Sequence, residues 1–557
     1  MAAPADLVVT RGKAIAVDSR GTVAEAVAVA GDRIAAVGSA AEIEPLIGPD
    51  TVQVDAGGRA VVPGLIDGHA HLDREGLKPV FPSLAGCRSI DDVLARIEAL
   101  VAEAEPGEWI VTMPIGEPPY YWDVPANLAE NRFPTRRDLD SVAPDNPVYI
   151  RPIWGFWRHV LPLTSVANSA ALDAAGIGRD TPDPSESIEI ERDPATGEPN
   201  GIVHEHTYMP VMELSHFGRA PRFTHSDRVA GIKAAMAIYN RTGTTSVFEE
   251  HGAAQELIQA WQAVHAAGEA TVRANLVFSP SWGPERDIDY THALRSWSGW
   301  LGGRGLGDDW LAVGGLYTEF GFDADALLRA RASPYTGWSG FNYDCGVPRD
   351  KMVDFLVEAA RNGIRICAIW SDFLPLFEEV DKRVPIGDLR WVLGHINTLS
   401  PDEIGRVADL GLALTTHTNR YIHKQSHITR EEIGREREND IVPIKSLLDA
   451  GVHVALATDN VPTSLFFPVW QSVARENLHT GERIGEEQAL SRAEALRCAT
   501  IEGAWLTFEE DRKGSLEAGK LADMAILSAD PLTCPEDAIR DIVAETAIVG
   551  GRIVHEA

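Results

Sequence analysis

The chain has 557 residues, 45% of them hydrophobic, which is ample for a large core with attached pieces. Lys and Arg total 50 against 82 Asp and Glu, giving a net charge of −32. Such a surface repels nucleic acids and anionic membranes, so we expect a small-molecule substrate and neither of those partners.

The cysteine content and the first residues bear on the cellular compartment. Five cysteines are widely spaced and form no C-x-x-C pair, which argues against a disulfide framework and favours a reducing environment. The opening residues MAAPADLVVTRGKAIAVD lack the basic and apolar regions of a signal peptide. No apolar run is long enough to cross a bilayer. We therefore expect a cytoplasmic protein.

Both ends of the chain predict short strands. β-branched runs broken by Gly and Asp fill the first sixty or so residues, and similar runs, LADMAILSADPL and TAIVGGRIVHEA, end the chain. A lone hairpin is marginal in water, so we expect residues 1–62 and 515–557 to form one composite β-domain.

The middle of the chain, residues 63–514, alternates predicted helices and strands. In SPDEIGRVADLGLALTTH, Ser400 can cap a helix that Gly411 ends, and LALTTH then forms a buried strand. RDKMVDFLVEAARNGIRICAIW and IKSLLDAGVHVALATD repeat the pattern with breaks at Gly363 and Gly451. Repeated units of this kind predict a parallel sheet and favour an α/β, (β/α)8 TIM barrel.

Eight predicted barrel strands end near the following residues: His71, His251, Phe278, Glu319, Trp370, His395, His417 and Asp459. The second strand lies far from the first. Residues of about 90–241 are therefore predicted to be a large α+β insertion after strand 1, with a helix in SIDDVLARIEALVAEA and a Trp-rich strand in NPVYIRPIWGFW.

Several of these strand ends carry a side chain that can bind a metal. They are His69, His71, His251, Glu319, His395, His417 and Asp459. In a barrel such ends converge on the C-terminal face. A mixed set of imidazole and carboxylate ligands suits Zn²⁺ or, less specifically, another divalent first-row metal. A metal of this kind lowers the pKa of bound water, and a nearby carboxylate can then take its proton.

Two His-x-His pairs compete for the ligand role. His69 and His71 end the apolar run VVPGLIDGHAHLD, which is typical of a buried strand, whereas His204 and His206 follow a polar loop. Residues i and i+2 of a strand face the same side, so either pair could point inward. The context favours the first pair as ligands and leaves the second as a solvated or substrate-lining strand.

The motifs resemble a known family. VVPGLIDGHAHLD is similar to the opening signature of the amidohydrolase superfamily, and several later segments resemble its YtcJ-like, or amidohydrolase-3, branch. These segments are DNPVYIRPIWGFWRHVLPLTSVANSAAL, GEPNGIVHEH, LRWVLGHINTLSPDEIGRVADLGLALTTH, VALATDNVP and GSLEAGKLADMAILSADPL.

The resemblance implies a fold and a chemistry. It implies a (β/α)8 barrel with a small β-sandwich built from both termini, and metal-assisted hydrolysis of an amide or related C–N bond. It places His395 on a ligand histidine and Asp459 on the strand-8 aspartate that serves as base. Glu205 matches the glutamate that follows the Gly-Glu-Pro-x-Gly segment. The alternative for Asp459 is a helix cap.

Two departures from the family pattern affect the expected metal count. The family's strand-5 histidine is replaced here by Ala368, Ile369 and Trp370, and its strand-4 lysine by Tyr317 and Glu319. Both losses favour one divalent ion over two. We expect Zn²⁺ on His69, His71 and Asp459, with His395 or Glu319 as a further ligand; Glu319 could equally orient a ligand or form a buried ion pair.

The remaining candidates are predicted to contact substrate. They are Glu205, Glu250, His251, Trp154, Trp157, His417 and Asn419. His251 could instead replace a missing ligand, and the tryptophans could simply fill the core of the insertion. His417 and Asn419 could contact a substrate carboxylate or oxyanion, or belong to a solvated loop.

Together these observations predict a metal-dependent hydrolase of a non-peptide C–N bond in a small substrate, aromatic or N-substituted. Metal-activated water attacks, Asp459 acts as general base, and His395 binds the metal or stabilises the oxyanion. The alternatives are a metal-dependent decarboxylase, isomerase or C–C hydrolase on the same scaffold, and an inactive binding protein. The family also leads us to expect a homo-oligomer, a dimer.

Overall fold

The protein is a (β/α)8 barrel with two additional β-sheets. The computed structural model describes residues 4–118, 120–121, 123–154, 160–283, 288–321 and 323–557. Barrel strands 1 to 8 are, in chain order, Leu65–Asp67, Thr244–Ala253, Arg273–Phe278, Leu311–Tyr317, Ile366–Ile369, Val392–Gly394, Ala413–Thr416 and His453–Leu456.

Each barrel strand pairs in parallel with the next one. Two backbone hydrogen bonds then connect strands 1 and 8. The amide of Gly68 donates to the carbonyl of Leu456 at 2.9 Å, and the amide of Asp459 donates to the carbonyl of His69 at 3.0 Å. The side chains that follow the two strands are thereby held next to each other.

Helices surround the barrel: His225–Arg241, Gln255–Ala266, Tyr290–Trp297, Ala324–Arg329, Arg349–Arg361, Leu374–Asp381, Pro401–Asp409, Ser426–Ile433, Ile444–Asp449, Phe466–Ala474, Arg492–Cys498 and Ile501–Leu506. The predicted cap at Ser400 is present, since its side chain accepts from the amide of Glu403. No helix among the described residues has both the length and the apolar character that a membrane crossing requires.

A β-sandwich combines strands from both ends of the chain. One sheet contains Leu7–Thr10, Ala26–Ala30, Arg33–Gly38 and Val52–Asp55, with the short helix Ala40–Ile43 following its edge strand. The other contains Lys13–Ile15, Val23–Ala24, Ala60–Pro63, Met524–Leu527, Ala544–Val549 and Arg552–Glu556. Within it, Ala60–Pro63 pairs antiparallel with Met524–Leu527, which joins the two ends of the chain.

The run VVPGLID was predicted to be one buried strand, and here the prediction is wrong. The run divides at Gly64 into a sandwich strand, Ala60–Pro63, and barrel strand 1. A β-carbon at Gly64 would lie 2.1 Å from Oγ1 of Thr245, so the chain passes from one sheet to the other where only glycine fits.

The insertion between barrel strands 1 and 2 contains a five-stranded sheet. Its strands are, in spatial order, Ile188–Arg192, Pro199–Glu205, Leu163–Ala167, Val148–Ile150 and Ile110–Thr112. Its helices are Ile90–Val101, Arg136–Asp140, Ser169–Ala175 and Met212–Ser215, and Leu72–Leu77 leads into it. Helix His225–Arg241, counted with the insertion in the prediction, instead packs on the barrel, because its Ile232 and Met236 share a core cluster with Val247.

Candidate metal centre

Five buried histidines converge beyond the C-terminal ends of the barrel strands. They form two groups, His69 with His395 and His417, and His69 with His71 and His251. Within each group the ring nitrogens that could bind a metal lie within 4.8 Å of one another. All five side chains are at most 5% exposed. Four of them follow a strand end in a connecting segment, whereas His251 lies inside the long barrel strand 2.

His69 is held by a carboxylate behind it. Its Nδ1 lies 2.9 Å from Oε2 of Glu250, and the same oxygen accepts a hydrogen bond from the hydroxyl of Thr415. Nε2 of His69 is therefore left to face the other histidines, 3.2 Å from Nε2 of His71. Two nitrogen ligands about 2.0–2.1 Å from a tetrahedral Zn²⁺ are roughly 3.3 Å apart, so this spacing fits a shared ion.

Several ring nitrogens of the cluster have no hydrogen-bond partner. Nε2 of His251, Nε2 of His395 and both ring nitrogens of His417 are buried and unpaired within the described residues. An unpaired polar group in a protein interior costs free energy, about 1–3 kcal/mol each. A buried cluster of such groups is explained if they bind a metal. The residues present therefore fit a divalent cation.

Burial also sets the protonation of these rings. It lowers the pKa of His71, His251, His395 and His417 well below that of a free imidazole, and the neighbouring cationic groups lower it further. For His69, burial lowers the pKa, but Glu250 together with Asp459 and Asp67 outweighs it and the net shift is upward. Four of the five rings are thus neutral, which is the form that binds metals.

Asp459 lies at the edge of the histidine cluster. Its Oδ1 is 3.5 Å from Nε2 of His71 and 3.8 Å from a guanidinium nitrogen of Arg74. Its side chain is 13% exposed, against 3% for His71, so it is the more accessible of the two. The sequence-based expectation that these distant side chains meet agrees with the geometry.

A left-handed backbone turn positions Asp459. Asp459 and Asn460 have φ of 49° and 45°, a conformation that Asp and Asn tolerate better than most residues. The buried Asp67 accepts from both the amide and the hydroxyl of Thr458. The amide side chain of Asn460 donates to the carbonyl of His71 at 2.8 Å. The strand-8 turn is thereby fixed to the His69–His71 segment.

Glu319 lies outside both histidine groups. It accepts a hydrogen bond from the hydroxyl of Tyr317 at 3.0 Å, and Tyr317 in turn contacts the ring of His251. Burial raises the pKa of Glu319 to about 7. Among the described residues, the groups that could bind a metal contain His417 and not Glu319.

Of the residues predicted to contact substrate, two carboxylates are used internally. Glu250 is fully buried behind His69. Glu205 is also fully buried and accepts from the backbone amides of Val211 and Met212, which holds the end of the insertion in place. Neither carboxylate presents exposed surface to a substrate.

The other predicted substrate residues have different surroundings. His251 stacks on Phe341 with ring centroids 4.3 Å apart and belongs to the histidine cluster. Trp154 is buried beside Arg74, whose guanidinium carbon is 5.2 Å from the ring centroid. Asn419 is 4% exposed and begins the π-helix Asn419–Lys424. Trp157 lies outside the described residues.

Two site residues escaped the sequence analysis. Arg74 donates to the carbonyls of Trp338 and Ser339 while approaching Asp459. Its position in HLDREG, directly after the two histidines, could have indicated that it lies near the site. Thr415 donates a hydrogen bond to Glu250. Its sequence signal is strand alternation, because it lies on barrel strand 7 two residues before His417.

Comparison with known proteins agrees with this geometry. The profile of the amidohydrolase family matches residues 53–555. The chain belongs to the amidohydrolase family. Over 99% of its length it is 28% identical to N-substituted formamide deformylase of Arthrobacter pascens, covering 98% of that protein. It is 25% identical to the putative amidohydrolase YtcJ of Bacillus subtilis, with 96% of each chain covered.

Solved structures support the same fold for this amidohydrolase. A crystal structure of an uncharacterized metal-dependent hydrolase from Pyrococcus horikoshii superposes with a TM-score of 0.68 at 19% identity. The match covers 95% of this chain and 99% of that one. At this identity the likeness establishes the architecture, a barrel of the amidohydrolase type.

Proposed function

We propose that this amidohydrolase hydrolyses a non-peptide C–N bond in a small N-substituted formamide or related amide, using one divalent metal ion, Zn²⁺. The observation that carries the proposal is the set of unpaired, neutral imidazole nitrogens on His251, His395 and His417 around His69. Asp459 stands beside them as the accessible carboxylate.

One ion fits the cluster better than two. Nδ1 of His69 bonds to Glu250, which leaves only Nε2 for a metal. His69 belongs to both histidine groups, and its one free lone pair binds one ion. We assign His69, His395 and His417, one of the two histidine groups, as ligands of this ion, with His71 and His251 of the other group as further candidates. When bound, such an ion supplies Lewis-acid polarisation of a carbonyl and lowers the pKa of water.

Asp459 is the group that we assign to proton transfer. Its carboxylate oxygen, 3.5 Å from His71, can accept a proton from water next to the cluster and pass it to the leaving nitrogen. Arg74, 3.8 Å away, holds the carboxylate by charge attraction and is itself anchored to two carbonyls. The proton thus leaves the attacking water and arrives on the amine.

The substrate class rests on the relatives. The Arthrobacter protein is named for removing the formyl group of N-substituted formamides, and the two chains align over nearly their full length. The chain lacks the family's usual strand-5 histidine, but its cluster includes His417, which offers a further imidazole donor for a metal.

The test is product analysis with purified, zinc-loaded protein. We expect N-benzylformamide and N-(2-phenylethyl)formamide to give formate and the free amine in equal amounts. Heat-inactivated protein is the control. Release of carbon dioxide from carboxylic acid substrates, with no amine from any formamide or amide, would instead support the decarboxylase alternative.

A further inference from the structure

Two buried basic side chains lie on a single π-helix beside the candidate metal centre. Arg420 and Lys424 belong to the π-helix Asn419–Lys424, which follows barrel strand 7 and His417. They are 9% and 3% exposed. π-helical turns are rare and often occur at functional sites, because they re-aim side chains that an α-helix would place elsewhere.

Arg420 has a hydrogen-bonding group without a partner. Its Nε donates to Gln425 at 3.1 Å, but Nη1 is buried and unpaired within the described residues. Among the described residues no carboxylate pairs with this nitrogen of Arg420. Buried arginines are ordinarily paired, so this donor indicates a missing anionic or polar acceptor.

The guanidinium packs among aromatic rings beside the histidine cluster. Its carbon lies 5.6 Å from the ring of Trp370, and that ring lies 5.3 Å from the ring of His395. Tyr208, from the insertion, covers another side at 5.2 Å. The charge of Arg420 is close enough to lower the pKa of His395 and His417.

Lys424 adds a second basic side chain to the same region. Its Nζ is 4.4 Å from the ring of Tyr120. Burial lowers the pKa of Lys424 to about 7, although Asp459 favours the charged form. A divalent metal would add its positive charge to that of Arg420 beside the histidine cluster. A bound anion would balance that charge, and the aromatic rings would enclose its apolar part.

We propose that Arg420, assisted by Lys424, binds a carboxylate on the substrate, so that the preferred substrates are N-formyl or N-acyl amino acids and not neutral amides. The inference rests on the proposed function and narrows its substrate class. Planar guanidinium suits a carboxylate, since the two groups can form two parallel hydrogen bonds.

Binding tests the subsite independently of turnover. For the zinc-loaded protein we compare the affinities of 3-phenylpropanoate and its neutral isostere 3-phenylpropanamide by calorimetry. We expect the carboxylate to bind about 10- to 100-fold more tightly. Arg420→Gln should remove most of that preference, Lys424→Gln part of it, and Arg552→Gln none. Arg552 is the control, an arginine in a sandwich strand that packs on Trp310.

Turnover supplies the second arm. N-formylphenylalanine and N-(2-phenylethyl)formamide differ only in the carboxylate, and Arg420→Gln should lower kcat/KM about 10- to 100-fold for the first and little for the second. If neither compound is hydrolysed but the binding preference depends on Arg420, the subsite stands and the proposed function fails.

Other outcomes overturn the subsite. A preference that survives Arg420→Gln would mean that the metal captures the carboxylate. Equal binding of acid and amide to the wild type would mean that Arg420 is a core cation stabilised by its aromatic neighbours. If Arg420→Gln does not fold, Arg420→Lys is the substitute, because it keeps the positive charge but loses the planar pair of N–H donors. An unchanged preference for the carboxylate over the amide in both Arg420→Lys and Lys424→Gln would also contradict the proposal.

Discussion

At the scale of single residues, the contact that organises the centre is between His69 and Glu250. Glu250 accepts from His69 and Thr415 and lies against Gly394, where a β-carbon would come within 1.9 Å of its carboxylate. The carboxylate, and the glycine that makes room for it, thus fix which nitrogen of His69 is free. Such support behind a ligand tunes metal affinity.

We expect Glu250→Gln to weaken zinc binding by about 10- to 100-fold, because the amide loses the charge that orients His69. The measurement is a competition titration with a chromogenic chelator. Glu189→Gln, on an exposed side chain of the insertion, is the control and should bind zinc as the wild type does. Unchanged zinc affinity in Glu250→Gln would show that Glu250 does not orient His69 for zinc binding.

Asp459 leads to a different expectation. Asp459→Asn should lower kcat by about 10²- to 10⁴-fold, because the amide cannot accept the proton from water. Zinc content should stay close to that of the wild type, since the histidines remain. The measurement combines steady-state rates with elemental analysis of the same sample. A variant that retains zinc and full rate would exclude Asp459 as the base.

For single residues, the sequence predicted which side chains at the strand ends could bind a metal, but not which other side chains they contact. His69, His71 and Asp459 were predicted to meet, and the structure places them together. His417 was predicted to contact substrate, and Glu319 was preferred as a ligand, because periodicity does not reveal which loop residue turns inward. Contacts such as Arg74 with Asp459 depend on tertiary packing alone.

At the scale of elements, a buried ion cluster attaches the segment after the last barrel helix to the base of the barrel. Glu509 pairs with Lys513 and with Arg304, each at 2.8 Å, and Lys513 also reaches the hydroxyl of Ser246. Burial raises the pKa of Glu509, but the two cations outweigh it and lower it to about 2 from an ordinary value of 4.5. The carboxylate therefore stabilises the folded state when ionised.

We expect Glu509→Gln to lower the free energy of unfolding at pH 7 by about 3 kcal/mol, since it leaves buried cations without their anion. Because the folded-state pKa is lowered, the wild-type advantage should be complete above about pH 4.5 and decline between that pH and about 2. Urea unfolding midpoints across this range provide the measurement. Glu379→Gln, on an exposed helix pair, should change little. A pH-independent difference would contradict the assignment.

Helices and strands were predicted well where local signals are strong. The capped helix Pro401–Asp409 and the following strand Ala413–Thr416 appear as expected, because a capping box, an apolar stripe and a terminating glycine all agree. The division of VVPGLID into two strands was missed. It depends on close approach to Thr245, which is far away in sequence.

At the scale of the whole molecule, the barrel was predictable and its attachments less so. Alternating helices and strands, together with the family resemblance, lead to eight parallel strands. The sequence predicted that the two strand-rich ends of the chain form one β-domain. It did not predict that Ala60–Pro63 pairs with Met524–Leu527. The insertion was predicted to reach residue 241, but its last helix packs on the barrel, a contact that composition does not encode.

The barrel's construction explains how chain segments about 390 residues apart can form one centre, as Asn460 and His71 do across strands 8 and 1. Strand 1 delivers the paired histidines, strands 6 and 7 deliver His395 and His417, and strand 8 delivers Asp459. The centre is therefore a property of the closed barrel. Its metal should then stabilise the folded molecule as well as support turnover.

The most direct test is the zinc content of the purified protein, measured by elemental analysis alongside turnover of N-formylphenylalanine and N-benzylformamide. We expect about one zinc per chain. Chelation should abolish turnover of whichever amide the protein hydrolyses, and one equivalent of zinc should restore it. A double variant, His69→Ala with His395→Ala, should bind little zinc. Full turnover by metal-free protein, or undiminished zinc in the double variant, would contradict the assignment of the histidine cluster as the catalytic metal centre.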